Sequence, residues 1–339
     1  MGTSGGPAVT PDRVMQLMFG YAPTLIVETA LRNGIFDLLE GGPKTAEQLA
    51  AESGASLRGL RAILNALVGL QFLAKIEDRR YALTAESAAY LVSTKPAYLG
   101  GVLQHTGHQL MPAWLELGDV VRSGKPAKAV NQQDGGAAFF QEFVEALFPL
   151  NYGPAQALAR ELDLENARGP VRVLDLAAGS GVWGIALAQA SSQVTVTAVD
   201  WPGVLEVTRR VAARHSLSDR FSYIGGDLAT VDFGTGYNVA TLGHILHSEG
   251  EARSRELLRK TFQALVPGGT IAVAEFLVNE ERTGPPMGVL FAVNMLLNTE
   301  DGDTYSFQEI SQWLREAGFG HARRIEPGGP STLIVAERP

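Results

Sequence analysis

Three carboxylates fall at corresponding places in the second half of the chain: Asp175, Asp200 and Asp227. Each ends or follows a run that reads as a buried strand, in VRVLDL, VTVTAVD and FSYIGGDL. Asp175 stands four residues before Gly179 of the loop AAGSGVWG, where it can accept hydrogen bonds from loop amides or from a ligand ammonium. Asp200 is placed to accept both hydroxyls of a ribose. Asp227, between Gly226 and Leu228, is placed to take the exocyclic amine of adenine.

The loop itself is ambiguous. Gly179, Gly181 and Gly184 match GxGxxG, a backbone that passes close under a nucleotide at the start of a helix, and a dinucleotide would satisfy it. The charges around it separate the readings, because three carboxylates and no basic residue repel pyrophosphate and suit a cationic nucleoside. S-adenosylmethionine carries a sulfonium, an ammonium and one carboxylate, with no phosphate, and fits that set.

These residues need a scaffold. From Val171 onward strand and helix candidates alternate, with strands expected at 171–176, 194–199, 221–224, 238–242, 270–276 and 332–336. Such alternation predicts a mostly parallel, doubly wound sheet that binds ligands at the carboxyl ends of its strands. Upstream, Thr10 to Val92 reads as three or four short helices. Thr45 starts one of them, and Gly34 and Gly54 act as stops. A small hairpin over 72–76 and 81–83 follows, and helices followed by a hairpin describe a winged helix. Residues 98–166 read as helical and rich in large apolar groups, interrupted from Gly124 to Gly136.

Composition narrows the function. With 339 residues and 45% hydrophobic content, two domains are expected. The absence of cysteine excludes disulfides and thiolate metal sites, and no metal is expected. A net charge of -8 argues against a broad phosphate-binding surface. The winged helix is no exception, since Arg13, Arg32, Lys44, Arg58, Arg61, Lys75, Arg79, Arg80 and Lys95 are matched by as many acids before residue 100. Its would-be recognition helix offers only Arg58 and Arg61, and the apolar face of Leu57, Leu60, Ile63, Leu64 and Leu67 suits protein contact better. The Gly/Ser-rich start lacks the pattern of a signal peptide, and no apolar run approaches the roughly 18 residues needed to cross a bilayer. A cytoplasmic protein without nucleic-acid or membrane partners is expected.

Taken together, GIFDLL, TAEQLA, RAILNALVGLQFL, YALT, VLDLAAGSG, AVDWPGVLE, GGDL, ILH, LVPGGTIAVAE and NMLLNTEDGDTYSFQEISQWLREAGF make the chain resemble the class I S-adenosylmethionine-dependent O-methyltransferases with an N-terminal winged-helix dimerisation domain. This family includes the plant caffeate and hydroxyindole types and bacterial secondary-metabolite enzymes. The resemblance covers nearly the whole chain. It implies an α/β fold, a Rossmann-like seven-stranded doubly wound sheet with a mainly helical winged-helix domain in front. It divides the chain into a dimerisation domain at 1–97, a helical connector contributing to the substrate pocket at 98–166, and the cofactor domain at 167–339. A homodimer through the N-terminal domain and a flanking role for Trp201 beside adenine follow from the same likeness.

It also implies a reaction. In members that methylate phenols a base histidine follows the fourth strand, and His247 of GHILHSEG occupies that place, with His244 a shift of three residues away. Many relatives continue His-Asp-Trp, whereas this chain has His247-Ser248-Glu249, and Thr304 aligns with a second acidic position of the family. Glu275, closing AVAE, could compensate. The substrate pocket would draw on Met111, Trp114, Phe148, Tyr152, Asn294, Met295 and Asn298, which suggests an apolar, aromatic or polyketide-like acceptor. The expected reaction is O-methylation of a small hydroxylated secondary metabolite. The alternatives are C-methylation, another reaction on the same cofactor, a winged-helix regulator that senses the cofactor, and a nicotinamide-dependent dehydrogenase.

Overall fold

The structure is a computed structural model that describes residues 9–130, 133–328 and 331–339. The chain divides into two compact units, Met1–Leu110 and Met111–Pro339. The first eight residues of the Gly/Ser-rich start, and Asn131 and Gln132 of the expected interruption, lie outside the described residues.

In the first unit five helices, α1 (Asp12–Leu17), α2 (Ala22–Arg32), α3 (Ile35–Glu40), α4 (Ala46–Ser53) and α5 (Leu57–Gly69), precede a hairpin of β1 (Leu73–Lys75) and β2 (Tyr81–Leu83). Two more helices follow, α6 (Ala85–Tyr90) and α7 (Gly100–His105). Local chemistry sets the boundaries. Thr45 accepts from the Gln48 amide while the Gln48 side chain returns the bond, and Gly54 ends the same helix in the left-handed region at φ 71°. Leu60, Leu64 and Leu67 of α5 are buried with Val27, Leu31, Phe36 and Leu49 in one core. The apolar face expected to meet a protein partner is therefore internal. Truncating one such leucine to alanine costs about 2–5 kcal/mol.

One expectation is overturned here. The stretch Asp12–Arg32 is long and apolar enough, by length and composition, to cross a membrane. It is nevertheless folded as two helices with a turn between them, and α2 buries Val27, Glu28, Ala30 and Leu31.

The second unit begins with α8 (Met111–Leu115), α9 (Leu117–Ser123), α10 (Gln133–Phe143) and α11 (Phe148–Glu161). The extended piece before α10 is pinned where the Ala127 and Val130 amides donate to the carbonyls of Leu297 and Asn298, so the helix starts earlier than the glycines imply. Then come β3 (Val171–Leu176), α12 (Val182–Ala190), β4 (Val194–Asp200), α13 (Pro202–Arg214), β5 (Phe221–Gly225), β6 (Tyr237–Gly243) and α14 (Leu246–Ala264). They are followed by β7 (Leu265–Glu275), α15 (Pro286–Asn298), α16 (Phe307–Ala317), β8 (Arg323–Ile325) and β9 (Thr332–Glu337).

Seven strands form one sheet in the order β5-β4-β3-β6-β7-β9-β8, parallel except that β9 runs against β7 and β8. The six expected strands are present. β8 was not anticipated, because RRI is short and largely exposed and shows no apolar alternation. Successive strands depart from β3 toward both edges, so the crevice at the carboxyl ends of β3, β4 and β6 is the place where such a sheet takes a ligand. Apolar layers on both faces bury the carboxyl-terminal part of β3 and the centres of its neighbours, with Leu174, Leu176, Val196, Ala198 and Leu242 all inaccessible or nearly so.

Candidate active site

A cavity opens at that crevice. Its floor is the loop after β3, from Ala177 to Ser180, with Val182 and Trp183 of α12. Ala177 and Gly179 both adopt left-handed backbone, at φ 52° and 56°, which turns the loop under the cavity. Asp200 closes β4 and lines the cavity beside Trp201. Its Oδ2 accepts from the Gly179 amide at 2.9 Å and its Oδ1 from the Trp201 amide at 2.7 Å. Each oxygen keeps a lone pair for a ligand hydroxyl. Burial pushes this carboxyl up to about 6 against the pull of those two amides.

Beyond β5, Gly226 adopts φ 149° and its amide donates to the Asp200 carbonyl, which brings Gly226, Asp227 and Leu228 to the cavity wall.

Asp175 stands apart from the other two aspartates. It is fully buried, accepts from the Gly184 amide at 3.0 Å and the Thr241 hydroxyl at 2.7 Å, and does not line the cavity. Burial pushes it up to about 7. It holds the start of α12 against β6 rather than facing a ligand. Gly181 also lies behind the cavity, at φ 77°, where a Cβ would meet Thr208 at 2.8 Å. The expectation of three carboxylates and no basic residue is corrected on both counts, because two carboxylates of the three reach the cavity and Arg253 of α14 lines it too. Arg253 lies on a helix rather than at a strand end, and no strand-end pattern points to it.

Past β6, the short turn carries His244, Ile245 and His247. Gly243 approaches Trp183 so closely that a Cβ would lie 2.0 Å from the indole nitrogen. His244 is held in the left-handed region at φ 61°, with its Nε2 against Ser331 Oγ at 2.7 Å. Burial lowers His244 to about 4, so it is neutral at physiological pH. His247 sits in the first turn of α14, before a break at Gly250 (φ 75°). Its Nδ1 lies 2.7 Å from Glu275 Oε2, and its amide donates to Glu275 Oε1 at 3.2 Å. Both residues are buried, and Glu275 closes β7 beside β6. Burial would raise Glu275, but the histidine's charge and hydrogen bonds outweigh it and hold the carboxylate below its usual range. Thr304 is buried and donates to the Gly288 carbonyl.

The seven substrate candidates do not line this cavity. Phe148 stacks on Tyr152 and His215, with ring centroids 5.3 and 5.1 Å away, and the Tyr152 hydroxyl donates to Gln189. Leu147 and Asn151, one residue earlier in each case, line the cavity with Phe140 and Val144. The 100° step between helix neighbours turns the predicted pair away. Trp114 donates to Asn294, which accepts in turn from Asn298. These two asparagines share the face of α15 that carries Phe291, whose ring is 4.9 Å from His247. Met295 is buried and Met111 half-buried, both apart from the cavity.

The set fits a nucleoside cofactor: a glycine cradle, a carboxylate with spare acceptors, an indole beside it, and a second carboxylate past β5. Comparisons with known proteins give that cofactor and the chemistry. Residues 15–93 match the O-methyltransferase dimerisation domain and residues 114–320 match the O-methyltransferase domain. The chain is 31% identical over 326 residues to 3-hydroxy-5-methyl-1-naphthoate 3-O-methyltransferase of Streptomyces sahachiroi, covering 94% of this chain and 92% of that one. The structure of PigF with SAH superposes with a TM-score of 0.82 at 28% identity, covering 97% and 100%. PigF is an S-adenosyl-L-methionine-dependent methyl transferase of Serratia. L-tyrosine C(3)-methyltransferase of Streptomyces lavendulae is 27% identical over 338 residues, 95% of this chain and 91% of that one. The chain belongs to the O-methyltransferase family and is an S-adenosylmethionine-dependent methyltransferase.

Proposed function

We propose that the protein methylates a hydroxyl of a small, apolar, aromatic or polyketide-like secondary metabolite, with His247 as general base. One observation carries this reading: the bond from His247 Nδ1 to Glu275 leaves Nε2 as the proton acceptor. S-adenosylmethionine supplies a methyl group on a cationic sulfur. Asp200 holds its ribose, with Gly179, Trp201, Gly226 and Leu228 around the nucleoside and Asp227 at the adenine edge. His247 Nε2 takes the hydroxyl proton of the acceptor as its oxygen meets the methyl group, and Glu275 stabilises the imidazolium that results. His244, neutral and tied to Ser331, is the weaker candidate at this site.

The acceptor lies between His247, Phe291 and the Asn294 and Asn298 face of α15, with Leu147 and Asn151 opposite. Residues 1–97 serve dimerisation, 98–166 contribute to the acceptor pocket and 167–339 hold the cofactor. The match to a dimerisation domain supports a homodimer, as do Val14, Met15, Leu17, Met18 and Phe19, which are all exposed on or just after α1. We assign the protein to the cytoplasm, without nucleic-acid or membrane partners.

A second reading, C-methylation, is favoured by the absence of any carboxylate but Glu275 bonded to His247 among the described residues. Incubation with labelled S-adenosylmethionine and a panel of naphthols and polyketide phenols, followed by NMR of the product, separates the two. A methyl ether is expected, and a new carbon–carbon bond contradicts the reading.

A further inference from the structure

Two residues after His247 the chain presents Glu249, a carboxylate the proposed methyl transfer does not use. Glu249 is buried in the turn before Gly250 and lines the cavity. Its Oε2 accepts from Arg253 Nε at 2.5 Å. The same guanidinium donates from Nη2 to Asp227 Oδ1 at 3.2 Å, and that oxygen also accepts the Ala229 amide at 2.8 Å. The Asp227 loop is fixed from behind, because Lys260 Nζ donates to the carbonyls of Leu228, Ala229 and Val231 at 2.6, 3.1 and 3.0 Å.

Arg253 thus has two of its five N–H donors committed, and among the described residues the other three meet no protein acceptor. Asp227 Oδ2 likewise has no protein donor among the described residues. The cavity wall therefore offers Asp227 Oδ2 as an acceptor, with the Arg253 guanidinium and, among the described residues, the unpartnered Leu228 amide as donors beside it. Adenine presents the complement on its Watson–Crick edge, a 6-amino donor next to the N1 acceptor. Hypoxanthine presents the reverse, an oxygen next to an N1–H.

We propose that Arg253, positioned by Glu249, is a specificity-determining residue that reads adenine N1 of the cofactor while Asp227 Oδ2 takes the 6-amino group. The proposal rests on the placement of adenine beyond β5. Glu249 acts as a positioning residue through the guanidinium. A lysine cannot replace Arg253, since it lacks the planar fork that binds both carboxylates and still aims a donor at the base.

Calorimetric titration with S-adenosylhomocysteine and S-inosylhomocysteine tests this. The intact protein is expected to prefer the adenosyl compound by roughly 10- to 100-fold, the range of one or two hydrogen bonds with a charged partner. Arg253→Met and Arg253→Lys should each weaken it by about tenfold while changing the inosyl compound by less than about twofold, so the preference collapses. Glu249→Ala, which removes the acceptor for Nε, should weaken the adenosyl compound several-fold and the inosyl compound by less than about twofold, and an unchanged preference in it would remove the positioning role of Glu249. Preference and affinity both unchanged in Arg253→Met, at an unchanged melting temperature, would overturn the proposal alone. Undiminished binding in Asp200→Ala would overturn the nucleoside placement, and the proposal with it.

Discussion

The two walls of the cavity are built by different means. The strand-built wall positions Asp200, Gly179 and Gly226 through backbone hydrogen bonds and left-handed turns at the ends of parallel strands. The helix-built wall, from α10, α11 and α14, presents side chains whose aim depends on helical phase and on partners such as Glu275. The first wall is specified by spacing along the chain and suits a cofactor that does not change. The second is specified by packing and can be re-aimed by a few substitutions, which suits an acceptor that differs between relatives.

Four measurements test that contrast. The largest effect is expected at the strand-built wall. Asp200→Ala removes two charge-assisted acceptors for the ribose and the partner of the Gly179 amide, a loss of about 3 kcal/mol, so S-adenosylhomocysteine should bind roughly 100-fold more weakly by calorimetry. Comparable binding would show that this wall does not hold the nucleoside. Glu275→Gln should leave cofactor affinity alone and lower kcat by about 30-fold, with the pH–rate profile displaced, because the imidazolium loses its counter-charge. A change confined to thermal stability would make Glu275 merely structural.

The pH dependence comes third. Asp200 must be ionised to accept ribose hydroxyls, so between pH 7 and pH 5 affinity should fall about tenfold as its carboxyl, near 6, takes up a proton. The sign for folding is opposite. Asp200 and Asp175 sit above the ordinary carboxyl range, so the stability they confer is complete below about pH 4 and is lost as pH rises through about 6 and about 7. The shift in melting temperature on adding S-adenosylhomocysteine should therefore grow over the same interval. The smallest effect separates neighbours on α11. Asn151→Ala should raise KM for the acceptor a few-fold, whereas Tyr152→Phe should cost about 1 kcal/mol of stability through its bond to Gln189 and leave KM unchanged.

The sheet and its ligand crevice are legible because apolar runs broken by Gly and Asp repeat at βα spacing, and the same spacing sets Asp200 and Asp227 at the crevice. Asp175 looked equivalent in sequence, yet its place inside β3 turns it toward Thr241 and the α12 amide. Phe148 and Tyr152 stack away from the cofactor cavity for a different reason: large aromatic residues mark a helix face without saying which cavity that face meets. Arg253 and Lys260 carried no motif, and their roles depend on where α14 crosses the β5 loop. The likeness of Asp12–Arg32 to a membrane span is likewise decided only by the turn between its helices and the core that α2 enters.

The central claim is proton removal by an oriented His247. It is tested most directly by the single-turnover rate of methyl transfer in His247→Ala, measured on an accepted phenol with S-adenosylhomocysteine affinity determined on the same preparation. A fall of about 10²- to 10⁴-fold in rate with unaltered cofactor affinity is predicted. A rate within a few-fold of the parent would contradict the account.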